Sequence, residues 1–264
     1  MSRLPALPGA ETAGTRALLD PSLMRQVDIV EIIGPSEQGV SRPYLCRGDD
    51  GLLYYVKGRQ TNRASLWSEW IAGHAGRALG LSIPPFRVVN IDAALLPETP
   101  PALRDIGPGP AFGSEKYHSA IWLEPAQLST VPRDMQRDLV LFDWWIRNTD
   151  RTVGNTNLLW DPETKTPVVI DRNNAFDLDF DEAAFCEHHI FATQWQAMCS
   201  DWVTLTRQLD RLSAVMPVVH AACKMAPAEW AWENAEMDVT ARFDVAKAVA
   251  QLARCEDPEL WRPK

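Results

Sequence analysis

Residues 144–160 read Trp144-Trp145-Ile146-Arg147-Asn148-Thr149-Asp150-Arg151-Thr152-Val153-Gly154-Asn155-Thr156-Asn157-Leu158-Leu159-Trp160, and Val168-Val169-Ile170-Asp171 follows after a polar interval. A polar loop thus lies between two apolar segments, with Asn155 five positions after Asp150 and a second carboxylate, Asp171, behind a β-like run. Phosphoryl transfer asks little covalent chemistry of a protein. It needs one group to orient the attacking hydroxyl and hard oxygen ligands for magnesium. Asp150 is the candidate to orient that hydroxyl and accept its proton, and Asn155 and Asp171 are the candidate magnesium ligands. Arg151 either fixes the loop or touches phosphate. Asn148 and Asn157 read as structural side chains that tie loop backbone groups. Taken singly, each of these features is also what a turn or a helix cap contains, so the reading depends on the rest of the chain.

Upstream of the loop, Pro132 opens a segment through Trp145 in which Met135, Leu139, Phe142 and Ile146 share one helical stripe. Downstream, 158–160 and 167–170 read as two strands joined by a turn at 161–166, a hairpin that returns Asp171 beside Asn155. Beyond Asp171 helical periodicity dominates, near 181–192, 195–212, 213–225 and 240–253, with Pro217 and Pro227 as breaks.

The N-terminal part is β-like. Apolar residues 27–33, the short run 44–46 and the run 52–57 form three antiparallel strands, the last two joined by an Asp-Gly turn at 49–51. Between the first two, Gly34, Ser36 and Gly39 make a loop whose backbone amides can approach phosphate oxygens. Lys57 ends the third strand, placed to reach ATP phosphates, and Glu69 on the predicted helix 65–79 is its candidate ion-pair partner. Gly80 stops that helix, and 83–91 returns as a strand. Residues 94–118, rich in Pro and Gly, read as a surface excursion. The short strand 119–123 is then broken by Glu124 and Pro125. This is the expected hinge, where backbone groups around Leu123 would meet an adenine edge.

The chain has 264 residues, enough for two lobes sharing a cleft, and a formal net charge of -9, which opposes binding to nucleic acid or anionic membrane. Five scattered cysteines without a C-x-x-C pair suggest neither a disulfide framework nor a zinc site. No signal stretch or membrane-length apolar run is visible, so a cytoplasmic location and no membrane span are expected. The eleven tryptophans are read as packing residues. The five histidines, among them His118, His188 and His189, have no spacing that suggests metal ligation.

Asn148-Thr149-Asp150-Arg151 with Asn155 and Leu158, Val169-Ile170-Asp171, Tyr55-Val56-Lys57, and Glu69 in Trp67-Ser68-Glu69-Trp70 together resemble the HipA-like kinases, especially their short single-domain bacterial members. The catalytic loop is also similar to that of type II phosphatidylinositol 4-kinases. The resemblance implies an α+β, two-lobed protein-kinase-like fold with a small antiparallel β N-lobe and a mainly helical C-lobe. The chain divides into an arm at 1–24, an N-lobe at 25–125 and a C-lobe at 126–264. ATP and Mg2+ are the implied cofactors, with Lys57 on phosphate, Glu69 positioning it, Asp150 catalytic, and Asn155 and Asp171 on metal. The implied activity is that of a bacterial serine/threonine kinase. In some relatives such a kinase is a toxin paired with an antitoxin, so an antitoxin-like partner is conceivable. A protein acceptor is preferred to a lipid or small molecule, and a nucleotide- or partner-binding module without turnover is the alternative from another class. After Asp171 the chain reads Arg172-Asn173-Asn174-Ala175-Phe176 rather than Asp-Phe-Gly, so activation-loop control of the eukaryotic kind is not expected.

Overall fold

A computed structural model describes residues 26–36, 42–117 and 120–261; the N-terminal arm, Gly39 and His118 lie outside the described residues. Strands β1 (Val27–Pro35), β2 (Tyr44–Gly48) and β3 (Leu53–Lys57) form the predicted antiparallel unit. Their alternation turns Val27, Ile29, Ile32, Tyr44, Cys46, Tyr54 and Val56 inward, where all are buried. The β2–β3 turn is an Asp-Gly turn, with Gly51 at φ +81 and Asp50 Oδ1 accepting the Leu52 amide at 3.0 Å.

Two further strands, β4 (Phe86–Ile91) and β5 (Gly109–Glu115), complete a closed barrel in the order β1-β2-β3-β5-β4. Here the expected all-antiparallel lobe is corrected, because β4 pairs with β1 in parallel, Val27 opposite Val89. A helix between β3 and β4 supplies the crossover that a parallel neighbour requires. The supposed surface excursion at 94–118 is corrected as well. It begins with two short 3-10 turns, but 109–115 is a barrel strand between β3 and β4. Gly113 explains the disguise: a Cβ there would lie 2.6 Å from Val89 Cγ1, so the packing at this point demands the residue that reads as loop.

The crossover helix α1 (Arg63–Ala78) starts where Asn62 Oδ1 accepts the Ser65 amide at 2.7 Å and stops at Gly80, whose φ of +90 suits glycine. In the second lobe, β6 (Ile121–Trp122), β7 (Leu158–Asp161) and β8 (Thr166–Val169) make one three-stranded sheet. The hinge strand therefore belongs to the sheet that carries the polar loop, not to the barrel. Helix α2 (Arg133–Trp145) precedes that loop, and α3 (Glu182–His188), α4 (Ala192–Cys199), α5 (Trp202–Met225) and α6 (Val245–Ala253) follow it. Pro217 was expected to divide α5 and does not. An interior proline costs about 3 kcal/mol, and the burial of Leu212, Val215, Val218, Val219 and Ala222 around it offsets that cost.

The core falls into two clusters. One fills the barrel; the other runs through the helical lobe and includes Leu66, Trp67, Trp70 and Ile71 of α1. Tryptophans stitch the second cluster, as expected of packing residues. Trp144 donates its indole N–H to Leu260 O, Trp145 to Leu252 O and Trp261 to Cys255 O, each at 2.9 Å.

Candidate active site

Strand β3 ends at Lys57, a residue 5 % exposed, whose ammonium donates to Glu69 Oε1 at 2.6 Å and to Asp171 Oδ1 at 2.7 Å. Burial alone would push this amine toward neutrality, but Glu69 and Asp171 outweigh it and hold the pKa above the ordinary lysine value. Glu69 stands one helical face away from solvent on α1 and is also held from the other side. Arg172 Nη2 lies 2.9 Å from its Oε2, and the Arg172 amide donates to Oε1 at 3.1 Å. Arg172 is fully buried, a residue that the sequence reading passed over as mere departure from Asp-Phe-Gly. Asp171 follows β8 at φ +51, a left-handed conformation that non-glycine residues adopt at a cost of about 1–3 kcal/mol and that gathers at functional sites. The structure thus brings Lys57, Glu69 and Asp171 into direct contact.

The polar loop is built on a buried carboxylate that the sequence reading missed. Asp143, on the last turn of α2, accepts from Arg151 Nε at 2.6 Å and from Asn148 Nδ2 at 2.9 Å, and meets His189 Nε2 at 3.1 Å. Burial would raise its pKa, but Arg151 and His189 dominate and draw it down to about 2. Burial also lowers the His189 pKa, and Nδ1 of the same ring accepts the Phe191 amide at 3.1 Å, so the neutral ring donates from Nε2. Arg151 gives Nη2 to the other oxygen of Asp143 at 3.4 Å and Nη1 to the carbonyls of Thr156 and Asn157, at 3.1 and 2.6 Å, and has no exposed surface. Of the two roles open to Arg151, its contacts serve the fixing of the loop. Asn148 likewise ties backbone, since its Oδ1 accepts the Asp150 amide at 3.3 Å.

Held in this way, Asp150 receives two amide donors on one oxygen. Asn155 Nδ2 reaches Asp150 Oδ2 at 3.1 Å and Asn157 Nδ2 reaches the same atom at 3.0 Å. A cleft between the lobes is lined by Lys57, Glu69, Asn157, Asp171 and Arg172 on its polar side and by Tyr55, Phe112, Trp122, Leu159 and Ile170 on its apolar side. Ser36 also lines it, with its amide donated to Pro43 O at 2.8 Å. Leu123 does not. Its N–H goes to Leu158 O and its carbonyl takes the Thr156 hydroxyl, both at 2.9 Å, so the backbone expected at an adenine edge braces the loop instead, and Trp122 is the cleft residue of that strand. Gly39 lies outside the described residues.

Oxygens of Asn157 and Asp171 line the cleft and suit a hard cation, whereas Asp150 and Asn155, bonded to each other, are not among its lining residues. Among the described residues no group of three His, Cys, Asp or Glu side chains is placed to hold a metal by itself. Among the described residues no helix is long and apolar enough to cross a membrane.

A family model described as HipA-like kinase matches residues 29–264. No curated protein matches the sequence. Among solved structures, the Golgi casein kinase with Mn/ADP bound is 15% identical over 93% of this chain and 76% of its own, with a TM-score of 0.50. The Helicobacter pylori proinflammatory kinase CtkA is 11% identical over 90% of this chain and 95% of its own, with a TM-score of 0.48.

Proposed function

Because the chain belongs to the HipA-like kinase family, we propose that it is an ATP- and magnesium-dependent kinase that transfers the γ-phosphoryl group to a serine or threonine hydroxyl of a protein. The observation that carries this reading is the buried Lys57 ammonium clamped between Glu69 and Asp171 in one cleft with Asn157, whose amide holds Asp150. Lys57 supplies positive charge to phosphate oxygens, and Glu69 keeps that ammonium aimed while Arg172 keeps Glu69 in place. Asp150, fixed through Oδ2, offers Oδ1 to the acceptor hydroxyl. As the acceptor oxygen bonds to phosphorus and the bridging oxygen leaves with ADP, the hydroxyl proton passes to Asp150. Magnesium, when bound, would supply positive charge that offsets the phosphate charge, and Asn155 and Asp171 are the residues that would hold it. The solved relative with Mn/ADP bound is consistent with a nucleotide and a divalent cation here. The net charge of -9 favours a protein over an anionic lipid surface as acceptor.

The test is transfer from γ-labelled ATP in magnesium, followed by phosphoamino-acid analysis of the product. Asp150→Asn should lower turnover by about 10²–10⁴-fold while binding of a non-hydrolysable ATP analogue stays within about twofold. Unchanged turnover in that variant sinks the reading, and label recovered only in lipid or small molecules moves it to another acceptor class.

A further inference from the structure

His189 is remote in sequence from the polar loop, yet it closes on that loop from two sides. Its Nε2 meets Asp143 Oδ2 at 3.1 Å, the oxygen that also accepts Arg151 Nε at 2.6 Å. Its backbone pairs with Thr152 in an isolated bridge, and the next amide, that of Ile190, donates to the Arg151 carbonyl at 3.2 Å. Arg151, the residue after Asp150, is therefore gripped at its guanidinium through Asp143 and at its carbonyl by Ile190. The His189 ring is held in turn. It stacks on Phe185 with centroids 4.7 Å apart and planes 25° apart, the His189 amide goes to Phe185 O at 3.0 Å, and Nδ1 accepts the Phe191 amide at 3.1 Å. With Nδ1 an acceptor, the neutral ring carries its proton on Nε2, aimed at a carboxylate that only accepts.

This contact is not needed to neutralise Asp143, which already faces Arg151 and takes Asn148 Nδ2 at 2.9 Å. What His189 adds is a tie from another part of the chain. The segment that begins at Asp171 and Arg172, where Arg172 reaches Glu69 at 2.9 Å, returns to the polar loop at His189 and Ile190. Asp150 stands among contacts that this tie governs, because its amide goes to Asn148 Oδ1 at 3.3 Å and Asn148 is bonded to the same Asp143 carboxylate. We propose that His189 is a positioning residue for phosphoryl transfer: through the Asp143 carboxylate, and with the Ile190 amide on the Arg151 carbonyl, it sets where the Asp150 carboxylate stands. This rests on the kinase reading above. A displacement of about 1 Å can cost about 10²-fold in rate even when the altered residue is far from the chemistry.

The experiment compares wild type with His189→Asn and His189→Gln. Asparagine keeps an acceptor for the Phe191 amide but is too short to reach Asp143, whereas glutamine places an amide donor close to where Nε2 stands. His189→Asn should lower kcat for transfer from ATP by about 10–10²-fold with KM for ATP within about twofold, the mark of lost alignment rather than lost binding, and His189→Gln should recover most of that loss. A second measurement does not depend on turnover. Hydrogen exchange at the amides of Asp150, Thr152, Asn155 and Ile190 should quicken at least about tenfold in His189→Asn, return toward wild type in His189→Gln and leave the amides of α5 unchanged. Wild-type kcat in His189→Asn overturns the inference, as does a glutamine variant as slow as the asparagine one. Should His189→Asn prove unfolded by circular dichroism, nitrogen NMR of wild type decides: a protected Nε2–H supports the tie, and an Nδ1–H tautomer refutes it. If wild type transfers no phosphate at all, the kinase reading fails; quickened loop exchange in His189→Asn then still supports the hold of His189 on Asp150, and unchanged exchange removes both.

Discussion

Glu69 faces two cations, Lys57 and Arg172, in a nearly solvent-free setting, and this asymmetry has a use. Without Arg172, Glu69 would keep Lys57 as its only cation among these two, and that ammonium is shared with Asp171. Removing one partner from a buried pair costs about 3–5 kcal/mol, so Arg172→Met is expected to lower the urea unfolding free energy by about that much. A loss below about 1 kcal/mol would place the pair in the class of surface ion pairs and refute its bracing role. His74 offers a second residue-level test. It lies between the rings of Trp70 and Phe86, with centroids at 4.4 and 4.8 Å, and burial, helped by Arg77 and Arg172, pushes its pKa down to about 3. Because the native pKa is lowered, protons favour the unfolded chain. Between the unfolded value near 6.5 and pH 3 the unfolded state binds a proton that the native state refuses, so stability falls as pH drops through that window. The slope from this residue alone is about 1.4 kcal/mol per pH unit. His74→Phe should remove that part of the slope, and the difference between the two curves isolates it from the contribution of His189, which also shifts downward.

At the scale of elements, α1 is bonded to the helical lobe as if it belonged there. Arg63 Nε reaches Trp232 O at 2.9 Å, Trp67 Nε1 reaches Trp230 O at 3.0 Å, Ser68 Oγ reaches Ala175 O at 3.0 Å and Trp70 Nε1 reaches Ala222 O at 2.8 Å. Trp230 closes the circle by donating to Pro110 O of β5 at 2.9 Å. Trp230→Phe keeps the ring and strands that carbonyl, so it should cost about 1–3 kcal/mol, read as a lower thermal midpoint; an unchanged midpoint would mean that this joint is idle. Which elements could be read in advance follows from the same physics. Strands β1 to β3 and helices α1 and α2 were legible because their apolar periods match their burial. β5 was not, because Pro110 and Gly113 are there for what they touch rather than for their strand propensity. Asp150, Asn155 and Asp171 stand out in the sequence because their separation along the chain is itself the pattern, and Lys57 and Glu69 because a strand end and a helix follow in order; the structure brings Lys57 to Glu69 and Asp171, and Asn155 to Asp150. Arg172 and His189 act on Glu69 and Asp143 across segments remote in sequence, and nothing in their local neighbourhood announces it; Asp143 holds Arg151 and Asn148 from within the same stretch, but reads there as one more polar residue of a helix end.

At the scale of the molecule, these contacts divide the protein differently from its two lobes. Helix α1 shares the larger core, whereas the barrel interior of Val27, Ile29, Cys46, Tyr54, Val56 and Ala111 is a separate and smaller one. A small core buries less apolar surface and opens at lower free energy, so the barrel should unfold locally while α1 stays with the helices. The cysteines report on this directly, since Cys46 is fully buried in the barrel and Cys255 is buried in the larger core. Burial pushes the Cys46 thiol up to about 12, and neither thiol is accessible until its surroundings open. Native-state alkylation in rising urea, with the labelled peptides resolved by mass spectrometry, should therefore modify Cys46 before Cys255. Its opening free energy should be lower by at least about 1 kcal/mol, and its urea dependence shallower, because less surface is exposed in a partial opening. Identical urea dependence at both thiols would mean that barrel and helices open as one unit, and that the pinning of α1 extends its cooperativity to the strands it crosses.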